Sequence, residues 1–363
     1  MFAEMNATDL PERTATKYIW MICSPILLIF GAFGNILSVV VLNRPHRTRT
    51  STSTYLTALA VCDLFVLIVG LLRQWVRATF DFDIRNMNDS FCKVHFYLVN
   101  FLLQFSSWIL VAITIERVKS VRKPHMAKVG CTRKLASWVL LAEVIVLMVL
   151  NGHSIFGVKI RIVNDTETNS SVCRCEPDNE NDTYSRFMYY VWTWIDFVIV
   201  FFLPFLILMT ANILIIINVK RSRRFQRGLI NHTSRHALNA PQKPLIPMTA
   251  MLLTLNSVFF VCVGPVNVYS IGQFHWWPEE TEGHTLTVQL LLWVIVNILM
   301  YTNNAVNFLL YIMCGSEFRT EVKAIFLTCC QRKAEQSHKQ VRNPAKLNNQ
   351  QHSTNTSFEM ISV

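Results

Sequence analysis

Apolar residues in this chain collect into seven long runs, and the few polar residues inside them fall at particular depths. The runs are 19–42, 55–75, 94–118, 135–156, 189–219, 245–274 and 286–313. A helix needs roughly 20 residues to cross about 30 Å of hydrocarbon, and each run is long enough. Lipid offers no partner to a backbone amide, so each run is expected to be helical. After the last run, Phe318, Val322, Ile325 and Phe326 recur at helical spacing with Arg319 and Lys323 between them. The pattern therefore predicts an all-α membrane protein: a seven-transmembrane helix bundle with a short amphipathic helix on the inner surface. It divides the 363 residues into a short flexible head at 1–18, a membrane domain at 19–330 and a disordered polar tail at 331–363.

Charge orients this bundle. The formal net charge is +11, and its basic residues cluster after the first, third and fifth runs (Arg44, Arg47, Arg49; Lys119, Arg122, Lys123, Lys128, Arg133, Lys134; Lys220, Arg221, Arg223, Arg224, Arg227). The opposite side is mixed to acidic, with Glu279, Glu280 and Glu282 before the seventh run. The positive-inside rule puts the N-terminus outside and the tail in the cytoplasm. Seven crossings place the two ends on opposite sides, which suits carrying a signal without moving a solute. Basic charge set against helix ends at a lipid surface excludes a nucleic-acid partner. The opening residues include Glu4, Asp9 and Glu12 and no apolar stretch, so the first run is expected to act as the membrane signal.

Modification sites follow the same sidedness. Asn-x-Ser/Thr acceptors at Asn6, Asn88, Asn164, Asn169 and Asn181 all fall outside and are expected to carry glycans; Asn231 and Asn355 fall inside. Cys92 lies at the outer mouth of the third run, with Cys173 and Cys175 in the outer loop 159–186. In an oxidising compartment Cys92 is expected to bond Cys173 or Cys175, and the spacing leaves the choice open. Cys329 and Cys330 are expected palmitoylation sites. The chain ends Ile361-Ser362-Val363, a form that a PDZ-type domain can take up as an added strand.

The intramembrane polar residues are the candidate functional groups. Asp63 is a carboxylate in mid-membrane, which is costly unless paired or solvated. Ser106, Asn303, Asn304 and Asn307 can line a polar cavity with it. Arg73 lies ten residues beyond Asp63, roughly 15 Å outward, and Asp196 lies in the outer half of the fifth run. Gln74, Asn100, Gln104, His153, Tyr269, Gln273, Trp293, Asn297 and Tyr301 complete a wide outer cavity suited to the amides, charged end and apolar side chains of a peptide. Acidic outer loops would attract a cationic ligand. Glu143 is left out of the site and is expected to face a neighbouring helix in neutral form.

Several short motifs share one register. Cys92 and Glu116-Arg117-Val118 mark the two ends of the third run; Gly34-Asn35, Leu59-Ala60-Val61-Cys62-Asp63, Trp138, Pro204, Phe259 with Pro265, and Asn307-Phe308-Leu309-Leu310-Tyr311 follow in order in the others. Together they resemble the rhodopsin-like (class A) G-protein-coupled receptors over residues 19–330. Asn151-Gly152-His153, the Trp-less Val263-Gly264-Pro265 and the Asn307–Tyr311 motif are similar to an invertebrate peptide-receptor subgroup of the FMRFamide type.

The resemblance implies a plasma-membrane receptor for an extracellular peptide. It implies signalling through a heterotrimeric G protein, with arrestin as a further partner, and no enzymatic activity. It implies a sodium–water site at Asp63, Ser106, Asn303 and Asn307, no other cofactor, and a G-protein switch at Glu116, Arg117 and Tyr311. Where the family carries Trp, Pro, Tyr and an acid, this chain has Val263, Phe308, Asn212 and Leu245. Asn212 is expected to bond water or Tyr311, and Thr249 to offer Arg117 a weak hydrogen bond. Val99 stands where amine receptors hold an Asp, and Tyr301 where opsins hold a Lys. A transporter or channel is the alternative, but it needs a continuous polar path, and no internal repeat is evident. An enzyme needs a nucleophile–base or metal constellation that the runs lack.

Overall fold

The structure, a computed structural model, describes residues 11–44, 50–122, 130–165, 170–178, 182–232, 245–276, 284–315, 318–325 and 327. Among them are seven helices long and apolar enough to cross a membrane. We label them α1 (Pro11–Leu42), α2 (Ser51–Phe80), α3 (Asp89–Arg122), α4 (Arg133–Gly157), α5 (Thr183–Arg221, its helix continuing to His232), α6 (Leu245–His275) and α7 (His284–Cys314). Most outrun the apolar stretches that announce them. Helix α1 begins at Pro11, inside the expected flexible head, because nothing in Pro11–Tyr18 breaks a helix once Pro takes the first position, where no N–H is required.

Local chemistry fixes the ends. Thr50 and Ser53 form a reciprocal capping box at the start of α2. Thr132 caps α4 by accepting from Leu135 N at 3.2 Å. Asp81 closes α2 in the left-handed region (φ 51°), a conformation that Asp tolerates better than most residues.

Two helices carry π-helical turns, at Leu67–Leu71 in α2 and at Phe187–Trp192 and Val198–Phe202 in α5. The last lies just before Pro204, whose missing N–H leaves the carbonyl four residues earlier without its usual donor.

Helices α1 and α7 meet at glycines. A Cβ on Gly31 would lie 2.9 Å from Ala305 Cβ, and one on Gly34 would lie 2.8 Å from Phe308 Cβ. Only the bare backbone permits that approach. Phe308, which stands where the family has Pro, packs against Gly34 and edge-on to Phe33 at 6.4 Å. Asn35 Nδ2 donates to the backbone carbonyl of Asn304 at 3.0 Å and ties the same two helices at the same level.

The outer loop adds the one departure from an all-helical plan among the described residues. Strands β1 (Val158–Asp165) and β2 (Ser170–Pro177) pair antiparallel, with Ile160 opposite Cys175. Cys92 bonds Cys175, and Cys173 is exposed with a free thiol. Cys92, Val158 and Cys175 are buried together with Phe96 and Ile160 packed on them. Asp89 accepts from Ile160 N at 2.9 Å, so the hairpin is held to the outer end of α3 by a covalent bond and a hydrogen bond.

Beyond Gly315 the chain forms a second unit. Residues 318–325 are helical, with Arg319 and Lys323 exposed and Val322 and Ile325 half-buried, the two-faced pattern expected there. Cys329, Cys330, the tail and the C-terminal triplet lie outside the described residues, as do Asn6, Asn169 and Asn181. Asn88 is exposed and its Oδ1 caps α3 by accepting from Phe91 N at 2.9 Å; Asn164 lies on β1.

Candidate functional site

A cavity of about 260 Å³ opens between the outer halves of α2, α3, α5, α6 and α7. Arg73, Gln74, Asn100, Asp196, Asn297 and Tyr301 line it, as the sequence indicates. Val99 and Val263 line it too, so the positions that bear an acid in amine receptors and Trp in most of the family are both aliphatic here. Arg85, His95 and Asn267 are lining residues that the run-by-run reading misses. The cavity is at the small end of ligand pockets, which span about 300–1,000 Å³.

Five residues assigned to the cavity from sequence stand elsewhere. Gln104 is fully buried between helices: it donates to Asp196 Oδ1 at 2.9 Å and accepts from Asn151 Nδ2 at 2.6 Å. It joins α4, α3 and α5, and sets the rotamer of Asp196. Tyr269 is turned to α7, where its hydroxyl donates to the Gln289 carbonyl at 2.9 Å. Trp293 packs edge-on to Trp20 of α1 at 5.8 Å. Gln273 is exposed. His153 also leaves the cavity; its ring lies 4.1 Å from that of Trp192, and Nδ1 meets the Tyr184 hydroxyl at 3.1 Å. Helical periodicity says that these residues are in the outer half but not which neighbour each faces.

The outer wall is basic. Asp83, in the turn after α2, takes a bidentate grip from Arg73 (Nε at 2.8 Å, with Nη2 on the other oxygen) and a second from Arg85 (Nη2 at 3.1 Å). Arg73 and Asp83 side chains are each only 8% exposed. Burial alone would raise the Asp83 carboxyl, but hydrogen bonds and charge from Arg73 and Arg85 outweigh it and hold it well below the usual carboxylate range. Burial first, then repulsion from Arg73, lowers Arg85 from its ordinary value. Among the described residues, the cavity lining thus holds two arginines, Arg73 and Arg85, and one carboxylate, Asp196. Asp83 is a key residue that sequence reasoning passes over; its signal was an acid flanked by Arg73 and Arg85 at the top of one helix.

The cavity floor reaches the central carboxylate. Ser106 and Asn304 both line the cavity, and both donate to Asp63 Oδ1, at 2.9 and 2.7 Å. Asn307 donates to Oδ2. Asn303, expected at this site, is on the cavity wall, and its neighbour Asn304 bonds Asp63 instead. Adjacent helical residues point about 100° apart, so only one of the pair can face α2. The groups around Asp63 are an O–H and two amide N–H donors turned toward it. This set satisfies a carboxylate, and the same residues also hold oxygens, from the carboxylate, the Ser106 hydroxyl and the Asn304 and Asn307 side-chain carbonyls, which are the ligand type a hard cation takes.

A second polar junction lies nearer the inner end. Asn256 of α6 is fully buried and donates to Asn212 Oδ1 of α5 at 2.8 Å and to Thr114 of α3 at 3.4 Å. Asn212, expected to meet water or Tyr311, is engaged by α6 instead. Below it, Thr52 of α2 joins the expected switch residues: Arg117 donates to its hydroxyl at 2.8 Å, and that hydroxyl donates to Glu116 Oε1 at 2.8 Å. Tyr311 is buried at the inner end of α7. The side chains of Leu245 and Thr249 lie outside the described residues. In place of the absent Trp, Phe201 stacks on Phe259 at 6.3 Å, and its ring edge lies 3.1 Å from where a Cβ on Gly264 would sit.

A bundle of seven membrane helices, a disulfide from a hairpin loop onto α3, and three separate polar junctions, at Asp63, at Asn256 and at Arg117, are the features of a membrane receptor. The rhodopsin-family model of seven-transmembrane receptors matches residues 34–311, and the chain belongs to that family.

Among curated relatives, the FMRFamide receptor of Drosophila melanogaster is 26% identical over 310 residues, 83% of this chain and 52% of that protein. The neuromedin-U receptor 1 of Homo sapiens is 29% identical over 357 residues (91% and 80%), and the cholecystokinin receptor of Xenopus laevis 22% over 395 (90% and 82%). The chain thus spans about half the length of the first and about four-fifths of the others.

Proposed function

We propose that the chain is a peptide-activated receptor of the plasma membrane, with its N-terminus outside, its tail in the cytoplasm, and its output through a heterotrimeric G protein. The relatives named above are receptors for peptides, and the cavity fits the end of one.

The observation that carries the reading is the double role of Ser106 and Asn304, which touch both the cavity and Asp63. A ligand that engages these two side chains changes which partners Asp63 keeps. A ligand shifts an equilibrium only by its differential affinity for two states. Here the two states differ in the hydrogen bonds of Asp63, and further in by those of Asn256. Outward movement of α6 requires Asn256 to leave Asn212 and Thr114, and opens a cleft beside Arg117 for the G protein. Arrestin on the same inner surface, and a PDZ-type domain on the C-terminal triplet, belong to the same proposal.

The test is expression in cells with a neuropeptide library, reading calcium or cyclic AMP alongside ionic current. Peptide-dependent second messenger without current is the expected result. Current without second messenger would favour a channel and overturn the reading.

A further inference from the structure

Among the described residues, positive charge at the cavity mouth exceeds the negative charge set against it. Arg73 and Arg85 both line the cavity and both bind one carboxylate, Asp83. Arg77, one turn outward on α2, is near enough to repel Arg85. A guanidinium has five N–H donors. Asp83 takes Nε and Nη2 from each of the two arginines, which leaves both Nη1 groups without a protein acceptor among the described residues. Across the cavity Asp196 spends Oδ1 on Gln104, and no donor to Oδ2 occurs among the described residues. The cavity therefore has an arginine pole with spare donors and a net positive charge, and a carboxylate pole with a spare oxygen.

We propose that the Arg73–Asp83–Arg85 cluster is the seat for a carboxylate carried by the ligand. This rests on the peptide-receptor reading and adds the chemistry of the ligand. A guanidinium matches a carboxylate two bonds at a time. With Arg73 and Arg85 side chains 8% and 22% exposed, water screens the excess charge poorly. An incoming carboxylate balances Asp83 on the other side of the same two guanidiniums. The cavity volume limits what enters with it to about one residue.

The shared chemistry has two sources, a free C-terminus or an acidic side chain, and three small probes separate them: N-acetyl-phenylalanine, its C-terminal amide, and N-acetyl-aspartate with its terminus amidated. The measurement is the unfolding midpoint of the purified full chain in nanodiscs against probe concentration. One or both carboxylate probes should raise the midpoint at a concentration about tenfold or more below that needed by the amide. The one that does so names the source.

Arg85→Gln leaves Arg73 paired with Asp83 and should erase the difference between acid and amide, whereas Arg85→Lys should restore part of it. Asp83→Asn, if folded, should strengthen the response to acid. Equal effects of acid and amide, no effect of any probe, or a preference that survives Arg85→Gln would overturn the assignment. The peptide-library assay in cells is read separately. A receptor that signals to peptides yet shows no carboxylate preference loses this inference alone.

Discussion

Asn256 and Asn212 meet at 2.8 Å across α6 and α5, and the bond is made where the family's usual tyrosine is absent. Asn256 is fully buried, yet its own Oδ1 has no hydrogen-bond partner among the described residues. Leaving such an oxygen unsatisfied costs about 1–3 kcal/mol, so the junction is held with little margin. Hydrogen bonds between membrane helices are worth about 0.6 kcal/mol on average, and two are lost in Asn256→Leu. Basal signalling in cells expressing that variant should rise about two- to eightfold over wild type at equal surface expression. Unchanged basal output would mean that the junction does not restrain α6.

Asp63 gathers three donors from two other helices, so removing it strands all three. Asp63→Ala should lower the unfolding midpoint and surface expression more than Asp63→Asn, which keeps one acceptor oxygen. The stability difference should be at least about 2 kcal/mol, since each stranded buried donor costs about 1–3 kcal/mol. Thermal unfolding in detergent reads this directly.

The hairpin and α3 are joined through Cys175, with Cys173 two residues away and free. Cys175→Ser should abolish the peptide response and lower stability by about 2–5 kcal/mol. Cys173→Ser should do neither. Surface binding and midpoint measurements on the two variants distinguish them, and reversed behaviour would reassign the bond.

Asp83 sets a pH limit at the mouth. Its folded pKa is depressed, so its contribution to stability is complete above the unfolded value of about 3.9 and is lost as pH falls through the folded value. Between pH 8 and pH 5 the arginine cluster should therefore add no pH dependence to the unfolding midpoint. Asp83→Ala leaves two guanidiniums without their anion and should cost about 3–5 kcal/mol, the usual penalty for breaking a buried pair. A midpoint that already falls between pH 7 and pH 5, and does so only when Asp83 is present, would contradict the pairing.

Much of this fold is legible in the residues because hydrocarbon leaves so little choice. The runs give the spans and the basic clusters predict their orientation. The set Gly34-Asn35, Asp63, Arg117 and Asn307–Tyr311 gives the register. Rotation about each helix axis was not legible. Asn303 and Asn304 are equivalent to a reader of composition, but only Asn304 faces Asp63. Gln104 and Tyr269 look like cavity residues until their partners, Asn151 with Asp196 and the Gln289 carbonyl, are seen to consume their polar atoms.

The hairpin carried a signal that could have been read, since Val158, Ile160 and Ile162 alternate with Lys159 and Arg161. Asn151-Gly152-His153, noted only as a resemblance, proves to have three separate physical tasks. Asn151 anchors Gln104, Gly152 interrupts α4, and His153 packs on Trp192.

The claim on which the rest depends is that binding at the outer cavity moves α6 at the inner end. Spin labels placed at exposed Arg122 of α3 and exposed Ala250 of α6, with native thiols first removed where folding allows, report that movement as a distance. A peptide that scores in the cell assay should lengthen the distance by several ångströms in the presence of G protein, and Asn256→Leu should lengthen it in part without peptide. A bound peptide that drives signalling while this distance stays fixed would contradict the account.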